Sequence, residues 1–330
     1  MARLRPPETR AALGTLLVRF ADRTAVQDRR VLITGGAGFI GSNLANRLAA
    51  DNDVIVVDDE SFGTVDHLGA GVDFRERSVL AEDLPTDVDV VFHLAALSSS
   101  PMHEARPTQG VRVNVEGFVN VVEQAREDGC ETVVYASTSS VYGDRTEPSS
   151  ETTETGARTA YEASKLACER YGEYFSTRHG MSMAGLRFFS VYQGYGGAEN
   201  HKGEYANVIA QFADDIVGGD SPVLYGDGTQ TRDFTHVSDV VRAIVAAAET
   251  RLDGIYNVGT GERYSFNEVV ELLNEELGTN VAPEYVDPPI PDAVYVHDTC
   301  ADASKLRATT GWEPEIGLEA GIESVCRQYR

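Results

Sequence analysis

The chain of 330 residues predicts an α/β protein, a doubly wound parallel sheet joined to a smaller domain rich in loops. Three observations carry this expectation. Apolar runs alternate with helix-like stretches between residues 31 and 187, the pattern of successive βαβ units. The first of these runs breaks into Gly35, Gly38 and Gly41 before a helix. Proline and glycine then concentrate after Ser190, at 193–203, 217–228 and 283–291, and these stretches are read as loops.

In chain order, the first strand is Val31-Leu-Ile-Thr34. It opens into Gly35-Gly-Ala-Gly38-Phe39-Ile40-Gly41 and then a helix over 42–50. Glycine permits a tight turn, close approach of backbone N–H groups to a pyrophosphate, and close packing of helix on sheet, with the anion at the helix N-terminus. A second run, 54–57, ends in Asp58, seventeen residues past Gly41, about where a carboxylate that binds ribose hydroxyls belongs. Strand, glycine turn, helix, strand and acid in that order point to a bound dinucleotide. Further strands are expected at 88–94, 132–136 and 183–188, and right-handed crossovers make the layer doubly wound. Helices near 107–128 and 161–179 carry apolar faces (Val111, Val115, Phe118, Val122; Leu166, Tyr174).

Catalytic residues are sought in Tyr161-Glu-Ala-Ser-Lys165. Four residues on a helix put a phenol and an ammonium on one face, and the ammonium pulls the phenol down from roughly 10 towards the range of a general base. Alone, such a pair would be a surface contact. It follows both the glycine turn and a buried-type strand that opens into hydroxyls, Thr132-Val-Val-Tyr-Ala-Ser137-Thr138-Ser-Ser-Val-Tyr142-Gly143.

Together with His93-Leu94-Ala95-Ala96, Asn114-Val-Glu-Gly117, Leu186-Arg-Phe-Phe189, Gly226-Asp-Gly-Thr-Gln-Thr-Arg232-Asp-Phe234, Tyr256-Asn-Val-Gly-Thr-Gly261 and Ala301-Asp-Ala-Ser-Lys305, these segments resemble the extended short-chain dehydrogenase/reductases of the nucleotide-sugar epimerase/dehydratase family. The resemblance runs from about residue 30 to residue 314 and is nearest to the UDP-glucose and UDP-N-acetylglucosamine 4-epimerases. It implies a Rossmann-like NAD-binding domain over 29–187 with return segments near 236–258. The rest of 188–330 is then a smaller, discontinuous nucleotide-sugar-binding domain, and 1–28 an N-terminal extension. It implies NAD as cofactor, a UDP-sugar as substrate, and a homodimer built through a helix bundle.

Residue by residue, the resemblance makes Tyr161 the base that takes the proton of the sugar's 4-hydroxyl. Lys165 would lower its pKa and bond the nicotinamide ribose, and Thr138 would share the proton. NAD would be held by Gly35, Gly38, Phe39, Ile40, Gly41, Asp58, Leu94, Ala95, Ala96, Asn114 and Ser137 together with Tyr161 and Lys165. The sugar nucleotide would meet Thr138, Ser190, Tyr205, Val208, Arg232 and Thr299, with Arg232 on the diphosphate. Where dehydratases of the family carry Asp-Glu after that threonine, this chain has Ser139-Ser140, whose hydroxyls cannot do the same acid–base work. The expected activity is therefore 4-epimerisation through a transient 4-keto sugar. The alternatives are a UDP-glucuronate epimerase or another dehydratase or reductase of the family and, more remotely, a non-catalytic NAD sensor. Other departures are Ser190 and Gln193 in place of Asn and Gly, Ser78-Val79 in place of an Asp-Ile/Leu pair, and 292–295 in place of Arg-Pro-Gly-Asp.

Composition narrows the partners. With 28 basic and 52 acidic residues the net charge is −24, which argues against nucleic acid and anionic membranes. Only Lys165, Lys202 and Lys305 are lysines, and an acidic chain so poor in lysine is expected of a protein soluble in high salt. Cys130, Cys168, Cys300 and Cys326 are scattered without metal-ligand spacing, so no metal site is expected, and they are read as reduced thiols of a cytoplasmic protein. No apolar run is long enough to span a membrane. The first 28 residues, arginine-rich and then apolar, are expected to form an amphipathic helix rather than a cleaved signal.

Overall fold

The structure, a computed structural model, describes residues 26–194, 199–288 and 295–330. The expected N-terminal helix and most of the 292–295 departure lie outside the described residues. The leading strands are β1 (Arg30–Thr34), β2 (Asp53–Asp58), β3 (Val72–Glu76), β4 (Val90–His93), β5 (Thr132–Thr138) and β6 (Ser182–Phe188). Four short strands follow, β7 (Val191–Tyr192), β8 (Val223–Tyr225), β9 (Thr231–Arg232) and β10 (Thr235–His236), then β11 (Gly254–Val258), β12 (Tyr264–Ser265) and β13 (Glu284–Val286).

Seven of these make one parallel sheet in the order β11-β6-β5-β4-β1-β2-β3. The direction of winding reverses between β1 and β4, so a crevice opens beyond their carboxyl ends, where ligands of open α/β sheets bind. Both faces of the sheet are covered, which is why its strands are continuously apolar rather than alternating. One face packs Val31, Ile33, Val54 and Val56 under α1 (Phe39–Leu48). The opposite face packs Leu32, Ile55, Val57 and Val133 under Phe118, Val121 and Phe175.

Helix α1 begins at Phe39, not residue 42, because Phe39 itself turns into the core. Next come α2 (Ser100–Ala105) and α3 (Pro107–Val111), then a π-helical turn at Arg112–Glu116 and α4 (Gly117–Glu127). The single helix expected over 107–128 therefore carries a widened turn, and Asn114 lies buried in it. Helix α5 (Ala160–His179) is set by a capping box, Thr159 Oγ1 accepting from the Glu162 amide and Glu162 accepting from the Thr159 amide. Gly180, left-handed at φ 71°, stops it.

Past β6 the chain enters a second lobe whose own core joins α6 (Val208–Gly218) to later helices through Ile209, Phe212, Phe266, Leu273, Ile322 and Val325. It returns to the sheet with α7 (Val237–Glu249), packed on the same core as α1, and with β11 beside β6. It leaves again with α8 (Phe266–Leu277), α9 (Ser304–Thr310) and α10 (Leu318–Cys326). The stretches 217–228 and 283–291, expected as loops, contain β8 and β13, which pair in parallel. Strand β3 escaped the sequence pattern because only Val72 and Phe74 are apolar in it and it is the sheet's edge.

The two lobes are tied through Asp233. Its carboxylate accepts from Thr260 N at 2.8 Å, Thr260 Oγ1 at 2.7 Å, Gly261 N at 2.9 Å and Ala301 N at 3.0 Å, and it is wholly buried. Those donors follow β11 on one side and precede α9 on the other. Without it the Ala301 amide would be an unpaired buried donor, and the half-buried Thr260 donors and the Gly261 amide would lose their acceptor. Asp233→Asn presents an N–H₂ to a cradle made entirely of donors, so we expect a loss of about 3 kcal/mol, read as a fall in the guanidinium unfolding midpoint. An unchanged midpoint would show that these contacts are dispensable.

Candidate active site

The crevice at the β1/β4 switch holds a cavity of about 490 Å³. Its floor is the glycine turn. At Gly35, φ 70°, an added Cβ would lie 2.5 Å from the Ala95 nitrogen, and at Gly41 2.2 Å from the Gly35 carbonyl oxygen. No side chain larger than hydrogen fits either place. Helix α1 has no side-chain cap at Gly38 and no acid in its first turn, so its leading N–H groups present positive charge to the cavity. Asp58, at the end of β2, accepts from Ala37 N at 3.0 Å and Glu60 N at 2.8 Å. Burial raises its pKa against those bonds. A carboxylate so fixed bonds ribose hydroxyls and repels a 2′-phosphate. The residues present therefore fit NAD.

The catalytic candidates stand on α5 and at the end of β5. Tyr161, Lys165 and Thr138 are all buried and all line the cavity. Tyr161 hydrogen-bonds with Thr138, and Thr138 Oγ1 lies 3.0 Å from Ser140 Oγ. The expected effect of Lys165 on the phenol is corrected by the geometry. Burial pushes Tyr161 up to about 12, with only the Thr138 bond opposing it. Lys165 Nζ instead donates to the Ala136 carbonyl at 2.9 Å, and desolvation lowers its own pKa. Spacing on the helix brings the two groups to one face, and the carbonyl at the end of β5 takes one of the ammonium's three donors.

Of the expected cofactor residues, Gly35, Gly38, Phe39, Ile40, Gly41, Asp58, Leu94, Ala95, Ala96 and Ser137 line the cavity with Tyr161 and Lys165. Asn114 does not. Its amide accepts from Leu97 N at 2.8 Å and donates to Leu97 O at 3.1 Å and Ser164 Oγ at 3.0 Å, so it ties the loop after β4 to α5. Ser137 donates to Glu169 at 2.6 Å, and Glu169 is held by both arms of the Arg187 guanidinium. Among substrate candidates, Thr138, Ser190, Arg232 and Thr299 line the cavity. Tyr205 and Val208 do not: Tyr205 stands edge-on to Phe62 with centroids 6.3 Å apart, and Val208 packs on the second lobe's core. Both were expected from the resemblance; Tyr205 sits at the end of the 3₁₀ turn Asn200–Tyr205, beside the lining residue Phe62, and Val208 is the first residue of α6.

Arg232 is held by three carbonyls, Thr231 O at 2.7 Å, His297 O at 2.9 Å and Val296 O at 2.7 Å, over the Phe266 ring. Among the described residues no carboxylate pairs with it, since Asp233 is spent on backbone donors. A guanidinium fixed in this way retains its full charge for an anion in the cavity. Thr299 Oγ1 is buried without a hydrogen-bond partner. Ser190 has φ 21°, a strained value for a residue without asparagine's tolerance of the left-handed region. His93 is structural: its Nδ1 lies 2.9 Å from Thr34 Oγ1 and burial pushes it down to about 3. The sequence motifs missed Phe62, Arg77, His201 and Lys202, which also line the cavity. The scarcity of lysine was the one signal that could have found Lys202.

A glycine cradle for a dinucleotide, opening onto a phenol, an ammonium and a hydroxyl, is the apparatus of a short-chain dehydrogenase/reductase. Residues 31–259 match the NAD-dependent epimerase/dehydratase family. A putative UDP-glucose 4-epimerase of Methanocaldococcus jannaschii is 33% identical over 303 residues, 89% of this chain and 96% of that protein. A UDP-N-acetyl-alpha-D-glucosaminuronate decarboxylase of Bacillus cytotoxicus is 32% identical over 322 residues, 92% of this chain and 98% of that one. The solved UDP-N-acetylglucosamine 4-epimerase of Methanobrevibacter ruminantium superposes with a TM-score of 0.85 at 28% identity, over 92% of this chain and 99% of that one. The chain belongs to the NAD-dependent epimerase/dehydratase family. It is an enzyme of the isomerase class, and NAD is its cofactor.

Burial raises the Tyr161 phenol above its ordinary value in the protein alone, so we expect its ionisation to depend on charge brought by the cofactor. In NAD-free protein, the tyrosinate absorbance of wild type minus that of Tyr161→Phe should show no titration below about pH 10. A midpoint near pH 7 would mean that Lys165 suffices.

Proposed function

We propose that the protein is a UDP-sugar 4-epimerase acting on the gluco and galacto configurations. The single observation that carries this over the other chemistries of the family is the make-up of the cavity around Tyr161. Ser139 and Ser140 stand there, and among the described residues the carboxylates lining the cavity are Asp58 and Asp59, on the β2 side. No lining carboxylate is placed to expel water from the sugar or to assist loss of its carboxyl group.

NAD supplies the hydride acceptor for C4 and returns the hydride to either face. The chain's own part is to move and hold the proton of the 4-hydroxyl. Tyr161 takes it, Thr138 shares it by hydrogen bond, and Arg232 holds the diphosphate while the 4-keto sugar turns over. Because the hydride returns, there is no net redox change. Incubation with UDP-glucose should give UDP-galactose by NMR with no accumulation of NADH, and Tyr161→Phe should lower kcat by roughly 10²–10⁴ with little change in KM. Release of carbon dioxide from a UDP-uronate, or stoichiometric NADH, would replace this with one of the family's other reactions.

The finer choice of sugar rests on Thr299. It is small, it lines the cavity, and its hydroxyl has no partner, which leaves room for a 2-N-acetyl group. The N-acetyl pair should be turned over as well as the plain pair, and Thr299→Tyr should abolish the former by steric exclusion and spare the latter. The variant's activity on both pairs, followed by NMR, checks this; an unchanged ratio removes Thr299 from the specificity site. For assembly we propose a homodimer through α4 and α5; α5 leaves Tyr171 and Tyr174 exposed, and Val111 is exposed at the end of α3.

A further inference from the structure

We infer that Lys202 is a second anchor for the cofactor's pyrophosphate, supplied from the substrate lobe across the crevice. The chain has three lysines against a net charge of −24. Two have other duties. Lys165 is bonded to the Ala136 carbonyl beside Tyr161, and Lys305 Nζ donates to Ile255 O at 2.7 Å with the Tyr256 ring 4.1 Å away. Lys202 lines the cavity, and its Nζ lies 5.6 Å from the centroid of Phe39, the first residue of α1.

That is the helix end where the dinucleotide's phosphates must sit. Glu199 Oε1 steers the ammonium from 3.5 Å, but the same oxygen already accepts the Asn207 amide at 2.8 Å. An ammonium has three donors and this contact occupies one, so the others remain for phosphate oxygens. A compact ammonium suits a pyrophosphate already held by backbone N–H groups, where a planar fork has no free geometry to match.

The surrounding contacts hold the lysine in position. His201 packs tilted against His67 with ring centroids 4.8 Å apart and Tyr205 meets Phe62 at 6.3 Å, so the turn carrying Lys202 leans on residues 61–67 of the NAD-binding layer. Gly63 in that stretch lies so close to the glycine turn that a Cβ there would meet the Ala37 carbonyl carbon at 2.6 Å. The substrate lobe thus closes one side of the cofactor cradle. Arg232, which also lines the cavity and is fixed by carbonyls, is left for the sugar nucleotide.

The inference rests on the NAD site and not on the identity of the sugar, so it is tested by cofactor binding alone. NADH fluorescence titrations of NAD-free wild type, Lys202→Gln and Lys202→Arg are compared at low and moderate salt, with UDP binding measured by calorimetry on the same proteins. Lys202→Gln should weaken NADH by about 10- to 100-fold, the range of one charged hydrogen bond. Its affinity should also depend less steeply on salt, Lys202→Arg should recover only the part of the loss carried by charge, and UDP affinity should not move. An unchanged NADH affinity in the Gln variant overturns the assignment. So does a loss of UDP affinity equal to or larger than that for NADH, which would place the lysine on the substrate's diphosphate. Equal melting temperatures of the three proteins exclude a folding defect as the cause.

Discussion

The close approach of two backbones at the glycine turn governs the rest of this molecule. Gly35 leaves β1 against the peptide of Ala95 at the end of β4, with space for hydrogen and nothing else. Because the winding of the sheet reverses between these same strands, the contact lies at the mouth of the crevice. It pins the two strand ends together while the chain beyond them diverges, towards α1 on one side and towards the loop held by Asn114 on the other. The cavity and its anion-binding end therefore come from one steric constraint. A side chain at Gly35 would meet it twice, through the clash and through a φ of 70° that only glycine adopts freely.

Catalytic competence depends on a different balance, that of charge against burial. Tyr161 and Lys165 are both buried on α5, and each is driven towards its neutral form by desolvation. The Ala136 carbonyl and the Thr138 hydroxyl each oppose this with one hydrogen bond. One turn further on, Glu169 and Arg187 form a buried pair whose carboxylate also holds Ser137 at 2.6 Å. This pair anchors the end of β5 to α5, and so fixes the distance between Thr138 and Tyr161. Removing one partner would leave an uncompensated buried charge, which costs more than the pair contributes.

Most of the nucleotide half was legible because its residues work through backbone or through fixed spacing. Glycines that must approach a peptide, an acid at a strand end, and a phenol and ammonium four apart on a helix all constrain sequence directly. What escaped was set by contacts between segments far apart in the chain. Asn114 looks like a ligand residue by motif, yet the π turn at Arg112–Glu116 aims its amide at the Leu97 backbone. Tyr205 meets Phe62 and Val208 packs on the second lobe's core, contacts between distant segments that no periodicity records. Burial was equally invisible: spacing places Lys165 near Tyr161, but desolvation dominates the phenol, and one donor of the ammonium goes to an acceptor 29 residues away in sequence.

The distribution of cations shows how two lobes can share one active site. The chain is strongly acidic, so any cation facing the cavity sits in a field that favours it and that salt can screen. Arg232 escapes that screening by being locked to three carbonyls, with its charge spread over a plane. Lys202 is partly buried, and among the described residues it pairs with Glu199, itself fully buried and satisfied by backbone amides. The rigid guanidinium thus belongs to the lobe that must recognise and turn a sugar nucleotide over repeatedly. The ammonium, reaching from that lobe to the NAD-binding layer, couples the position of the substrate lobe to retention of the cofactor. An enzyme that returns its hydride within each cycle has no need to release NAD, and closure of the cradle from the second lobe is a physical means of keeping it.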